Sequence, residues 1–304
     1  MAGGPREGRS LSLVRPKEIS ETVLASFQSC EDDRLRELIQ AVARHLHAFI
    51  MEARVSEHEW EQAIRVLTET GQITDERRQE FVLWSDAMGV SMLVDALAHP
   101  KPAGATESTV RGPFWVPDSP RREYGESIIE QDSGTPTWFY GRVLDTAGQP
   151  IAGAELDVWQ NGEDRLYAVQ DPEAPEEHLR GRFLTRDDGS YGFLGVRPTP
   201  YPIPDDGPVG RMLRATGRHP WRPAHIHMIV SASGYEPLTT HVFDARSAYL
   251  DSDAVFAVKR SLLRDFVPRS PEDPDRPAAV SGEWYSVEND LVLVAAGGAD
   301  RPRI

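Results

Sequence analysis

The stretch Trp221-Arg-Pro-Ala-His-Ile-His-Met-Ile-Val230 decides how the second half of this chain is read. His225 and His227 are separated by one apolar residue. On a strand, side chains alternate between faces, so both imidazoles point the same way. A strand presents two nitrogen ligands to one metal in this manner. The competing reading is a pair of unrelated histidines on a solvated face, and the rest of the sequence has to decide between them.

Working outward, short strand candidates surround the stretch: Phe139 to Leu144, Ala154 to Trp159, Gly181 to Thr185, Tyr191 to Val196, His225 to Ala232 and Leu238 to Phe243. Several are bounded by Gly, Asp, Asn or Pro. Thr146-Ala-Gly-Gln-Pro150 and Asp187-Asp-Gly189 are turn sequences, the second of the Asp-Gly kind that suits tight hairpins. The pattern predicts an antiparallel β-sandwich. A helix from about Ser252 to Arg264 and a late strand near Asp290 to Val294 complete it, with a loop over the acidic, proline-rich residues 268–278.

The first hundred residues have a different texture. Residues 1–16 read as a disordered arm. From Lys17 to His99 the apolar spacing is helical: Leu35, Leu38, Ile39, Val42, Leu46, Phe49 and Ile50 recur at three and four and mark one buried stripe. Ser56-x-x-Glu59 is a capping box opening the next helix, with Trp60, Ile64 and Leu67 on its inner face and Gly71 near its end. A fourth helix is expected from about Asp75 to Ala98, stopped by Pro100 and Pro102. It is apolar over more than one face, as a helix buried on several sides would be. His45 and His47, two apart on a helix, point about 200° apart and make poor joint ligands. The fold class is therefore α+β, with an arm at 1–16, a helical domain at 17–105 and a β-sandwich domain at 106–304.

Composition narrows the function. At 304 residues the chain is long enough for about two domains. A net charge of -15, with no clustered Lys and Arg, argues against a nucleic-acid partner and an anionic membrane surface. No apolar run of about 18 residues occurs, which argues against membrane insertion. The single cysteine, Cys30, allows no intramolecular disulfide, and a cytoplasmic protein is the simplest reading. There is no phosphate loop, dinucleotide fingerprint or Gly-x-Ser-x-Gly, so any chemistry belongs to the β half.

Two tyrosines of that half stand in irregular, polar or proline-rich contexts: Tyr167 in Asp164-Arg-Leu-Tyr-Ala-Val-Gln170, and Tyr201 in Pro198-Thr-Pro-Tyr-Pro-Ile-Pro204. Each alone reads as a packing residue. With the two histidines they would form a set of two oxygens and two nitrogens. A phenol with a pKa of about 10 ionises at neutral pH only beside a metal, and hard anionic oxygen with imidazole suits ferric iron. The lack of a cysteine ligand excludes the common structural zinc sites.

These residues resemble the intradiol ring-cleaving dioxygenases. The resemblance is carried by Gly217-Arg-His-Pro-Trp-Arg-Pro-Ala-His-Ile-His227, Pro200-Tyr-Pro-Ile-Pro-Asp-Asp-Gly-Pro-Val-Gly210 and Glu107-Ser-Thr-Val-Arg-Gly-Pro-Phe114, and extends over nearly the whole chain. Leu238-Thr-Thr-His-Val-Phe243 and Tyr249-Leu-Asp-Ser-Asp-Ala-Val-Phe256 are most similar to the hydroxyquinol-cleaving members; plain catechol enzymes usually carry glutamine where His241 stands. The resemblance implies one ferric ion per subunit on Tyr167, Tyr201, His225 and His227. It makes Tyr201 a proton acceptor and Arg222 the group that stabilises charge developing on the ring. Leu83, Asp86, Val110, Gly112, Pro113, Phe114, Ile203, Pro204, His241 and Val255 are the implied substrate contacts, with Asp86 accepting a hydrogen bond from the third hydroxyl of a triol. Arg111 departs from the family, where an apolar residue is usual.

The implied reaction splits an aromatic 1,2-diol with molecular oxygen. Hydroxyquinol (benzene-1,2,4-triol) would give 3-hydroxymuconate, the enol form of maleylacetate; catechol or a chlorocatechol is the alternative substrate. The family's helical domain forms a homodimer and can hold a phospholipid between subunits. A second class stays open: Gly141-Arg-Val-Leu-Asp-Thr-Ala-Gly-Gln-Pro-Ile-Ala-Gly-Ala-Glu155 and Asp188-Gly-Ser-Tyr-Gly-Phe193 also resemble transthyretin-like sandwich modules that bind without catalysis.

Overall fold

The computed structural model describes residues 15–75 and 78–297. Most of the expected arm, residues 1–14, lies outside them. The chain divides into two compact units between Thr68 and Glu69. The division falls inside the stretch read as a helical domain, because the helices after residue 79 pack with the β-rich part.

The first unit holds α1 (Pro16–Ser26), α2 (Asp33–Ala53) and most of α3 (Glu57–Ile73). Asp32 caps α2 by accepting from the Leu35 amide at 2.9 Å, and Arg54 ends it in a left-handed conformation. The Ser56 and Glu59 capping box is present in both directions. The expected buried stripe is not buried: Leu35, Val42, Leu46 and Phe49 are each more than half exposed, and α2 has no buried residue. Its helical period is sound, but among the described residues of this unit nothing buries that face.

In the second unit the predicted fourth helix is two helices, α4 (Glu80–Ala87) and α5 (Val90–Ala98), bent by 77°. Gly89 at the break has φ +72°, a left-handed conformation that glycine adopts without cost. Among the described residues no single helix is long and apolar enough to cross a membrane. α6 (Pro208–Ala215) lies in a proline- and glycine-rich run where none was expected; Pro208 opens it, where a missing amide hydrogen costs nothing.

The sandwich strands are β1 (Pro136–Asp145), β2 (Glu155–Gln160), β3 (Arg180–Leu184), β4 (Ser190–Val196), β5 (Tyr201–Pro202), β6 (Trp221–Arg222), β7 (His225–Ser231), β8 (Leu238–Asp244), β9 (Leu263–Arg264), β10 (Val267–Arg269), β11 (Trp284–Glu288) and β12 (Leu291–Leu293). One sheet runs β3-β2-β7-β8-β9; the other runs β10-β11-β1-β12 with β4 also on β1, and β5 pairs β6 separately. The long pairs are antiparallel, while β11 and β12 join β1 in parallel and β9 joins β8 in parallel. Asp187-Asp-Gly189 does turn, with Gly189 at φ +74°, but it carries the chain from one sheet to the other and closes no hairpin.

The expected helix at 252–264 is absent. Asp253 accepts from the amides of Val255 and Ala257, and Phe256 has φ +60°, so the chain turns before a short 3-10 turn at Arg260–Leu262 and β9. The core lies between the sheets: Phe139, Val143, Phe193 and Val287 of one meet Leu156, Val158, Ile226, Met228 and Val230 of the other. Since Ile226, Met228 and Val230 point into this core, period two sends His225 and His227 to the opposite face.

Candidate active site

That outer face of β7 is where the site is built. His225 and His227 are each 1% exposed, and their Nε2 atoms approach to 3.2 Å. The Pro223 carbonyl can only accept, so His225 Nδ1, 2.7 Å from it, carries the hydrogen and Nε2 is left with a lone pair. Tyr167, just before a 3-10 turn, is braced by Gln170 Oε1 accepting from its amide, and its hydroxyl lies 3.0 Å from His227 Nε2. Tyr201 on β5 stands opposite Arg222 on β6, and Arg222 Nη1 donates to the Tyr201 hydroxyl at 3.3 Å. The two tyrosine rings meet edge to face at 5.4 Å. Two phenols and two imidazoles chosen from separate parts of the chain thus converge in one buried place.

His241 on β8 is in register with His227 and buried beside it. The three histidines together have the spacing of a metal cluster. His241 Nε2, however, lies 2.7 Å from His227 Nδ1, the ring nitrogen turned away from Tyr167 and His225. It therefore backs the His227 ring, and its own Nδ1 meets the Thr109 hydroxyl at 3.3 Å. Trp159, in register with His227 on the other side, stacks on that ring at 4.7 Å. Gly112, at φ +74°, passes so close that a Cβ there would sit 3.4 Å from His227 Cε1.

The electrostatics follow from burial. Desolvation pushes the three imidazoles well below their usual range, and the Arg222 cation adds to this, so all three are neutral and able to donate lone pairs. Burial first, and then Tyr201, push the Tyr167 phenol well above its usual value, against the pull of Arg222. Only a cation at the centre would ionise it. The donor set accordingly fits a hard, trivalent ion: neutral nitrogen lone pairs beside phenols that a positive charge would convert to anionic oxygen.

Next to this centre, Phe114 stacks on Tyr167 at 4.6 Å and, with Leu83, Asp86, Pro113 and Pro204, lines a cavity of about 210 Å3. Asp86 also borders a neighbouring cavity of about 370 Å3 lined by Val110, Arg111 and Gly112. Burial raises the Asp86 carboxyl, partly offset by Ser91 and Arg222. Ile203 and Val255 pack in the buried cluster around Leu83. Arg111 lies over the Trp115 ring, 4.7 Å from its centroid. Sequence reasoning passed over Trp159, Thr109 and Asp253. For Trp159 a signal existed, since β2 alternates and its register against β7 puts this residue beside a histidine; Thr109 and Asp253 act through long-range contacts that no local pattern encodes.

Comparison with known proteins finds relatives over most of the chain. The family described as "Dioxygenase" matches residues 110–284, and that described as "Catechol dioxygenase N terminus" matches residues 32–106. A hydroxyquinol 1,2-dioxygenase of a Rhizobium species is 50% identical over 278 residues, 90% of this chain and 94% of that protein. A 6-chlorohydroxyquinol 1,2-dioxygenase of Cupriavidus pinatubonensis is 46% identical over 249 residues, 82% of this chain and 90% of that one. The solved structure of a hydroxyquinol 1,2-dioxygenase from Pseudomonas putida superposes with a TM-score of 0.87 at 45% identity, covering 92% of this chain and 98% of the other.

Proposed function

The chain belongs to the intradiol ring-cleaving dioxygenases, and from that premise we propose that it cleaves hydroxyquinol, benzene-1,2,4-triol, between its adjacent hydroxylated carbons. Tyr167, Tyr201, His225 and His227 would hold one ferric ion per subunit. The observation that carries this reading is the convergence of two phenols with two neutral imidazoles in a buried site, together with a carboxylate on the adjoining cavity wall. When bound, ferric iron supplies a Lewis acid that draws electron density from a chelated diol and primes the ring for molecular oxygen.

The protein's own residues do the rest. Tyr201, ionised while it holds the metal, would take up a substrate proton at its phenolate oxygen as the diol arrives. Arg222, whose Nη1 already points at that oxygen, stabilises negative charge developing on the ring. Leu83, Pro113, Phe114 and Pro204 hold the ring and exclude water. Asp86 accepts a hydrogen bond from the third hydroxyl, the group that separates a triol from catechol. The product is 3-hydroxymuconate, which ketonises to maleylacetate.

The helical segment serves as a homodimer interface able to hold a phospholipid; support comes from the apolar residues exposed along α2, and from Leu93, Val94 and Leu97 of α5. The protein works in the cytoplasm, consistent with its single cysteine.

The test is a spectrum followed by turnover. Purified protein should be red-brown from tyrosinate-to-iron charge transfer and change colour when hydroxyquinol is added without oxygen. Admitting oxygen should then yield one ring-opened product per oxygen consumed, with a higher kcat/KM than for catechol or chlorinated catechols. A folded, colourless preparation that consumes no oxygen overturns the reaction; equal kcat/KM for all these substrates overturns the choice of hydroxyquinol and the role of Asp86.

A further inference from the structure

Arg222 ends in a rigid planar fork, and two of its three nitrogens are committed to one partner. Nε donates to Asp253 Oδ1 at 3.1 Å and Nη2 donates to Oδ2 at 3.5 Å, leaving Nη1 to meet the Tyr201 hydroxyl. Because the guanidinium is planar, gripping two nitrogens sets the direction of the third. Asp253 is itself anchored: Oδ1 accepts from the Val255 amide at 3.3 Å and Oδ2 from the Ala257 amide at 2.9 Å. The two side chains are 3% and 2% exposed, so the pair is desolvated and cannot be replaced by water. No step of the reaction described above uses Asp253.

We propose that Asp253 is a positioning residue that aims the Arg222 guanidinium at the reacting ring. A salt bridge serving stability alone would not need this arrangement, because a buried ion pair often contributes no more than apolar residues of the same volume. Here the pair costs desolvation and returns direction: Nη1 is held free of Asp253 and turned toward Tyr201. The inference rests on the reading that Arg222 stabilises charge on the substrate.

A double-mutant cycle on the iron-loaded enzyme tests it. Arg222→Met should lower kcat by about 10² to 10³ with a smaller change in KM, the usual loss when one charge-stabilising donor is removed. Asp253→Asn, which keeps the shape but places an N–H against donors, should lower kcat by about 10 to 100, the scale of a misaimed group, again with KM little changed. The double variant should be no slower than Arg222→Met alone, because Asp253 has nothing left to aim. Losses that multiply, or an Asp253→Asn enzyme with wild-type kcat beside a crippled Arg222→Met, overturn the positioning role. Wild-type kcat in Arg222→Met would instead overturn the role given to Arg222. Should Asp253→Asn fail to fold, 15N NMR of the arginine side chains in wild-type protein loaded with diamagnetic gallium(III) in place of iron decides: a slowly exchanging Arg222 Nε–H supports the grip, and one exchanging as in free arginine overturns it.

Discussion

Replacing His241 by leucine should loosen the metal without touching any ligand. If His227 binds through Nε2, its Nδ1 carries the hydrogen, and the 2.7 Å contact to His241 Nε2 is the bond that orients the ring and raises its basicity. His241 is 1% exposed, so water cannot take the acceptor's place. A buried donor left without a partner costs about 1–3 kcal/mol. At 1.4 kcal/mol per tenfold, that is a loss of about 10- to 100-fold in iron affinity, the range usual for partners behind a metal ligand. The assay is iron release to excess chelator, followed by decay of the visible charge-transfer absorbance and by equilibrium competition. His241→Gln, whose amide oxygen can accept the same hydrogen, should recover most of the loss. A leucine variant that holds iron as tightly as wild type would refute the reasoning, as would a glutamine variant no better than leucine.

Gly112→Ala should destabilise the protein by about 1–2 kcal/mol, the cost of a Cβ in the left-handed region, since the new Cβ itself would only reach ordinary contact with His227 Cε1 at 3.4 Å; an unchanged thermal midpoint would exclude the backbone strain. In the metal-free protein, His225, His227 and His241 are held neutral by burial, so the unfolded chain protonates them near pH 6.5 while the folded chain does not. Their folded pKa values are depressed, so this stability is present above about pH 6.5 and is lost as pH falls toward those values. Urea midpoints should fall between pH 7 and pH 5 with a slope approaching about 1.4 kcal/mol per pH unit per histidine, and a flat profile would show the imidazoles to be solvated.

Much of the β half was legible because its strands alternate, and the alternation around Ile226 already separated the core face from the histidine face. The two tyrosines were not legible in that way. Tyr167 sits in a loop and Tyr201 on a two-residue strand, where no periodicity points a side chain, and only the resemblance joined them to the histidines. The helix expected at 252–264 failed because Ala254, Val255, Val258, Leu262 and Leu263 have spacings that mimic a helical stripe, while Asp253 makes competing local bonds to its own downstream amides and is held in place by Arg222 from far along the chain. α6 was hidden by the opposite error, since the proline and glycines around it read as breakers although Pro208 stands at the one helical position that tolerates it. The stripe on α2 has the right period, but period alone does not say what covers it.

Asp86 and Leu83 reach the proposed substrate cavity from α4, whereas the four proposed ligands come from β5, β7 and the loop before residue 168. Under the proposed function, one wall of the substrate cavity is therefore encoded apart from the ligands, while Pro113, Phe114 and Pro204 share the ligands' half of the chain. Changes at Leu83 and Asp86 would alter that wall and leave the metal-holding strands intact. On that reading, a change in one bent helix pair would retune which ring fits and leave the means of opening it alone.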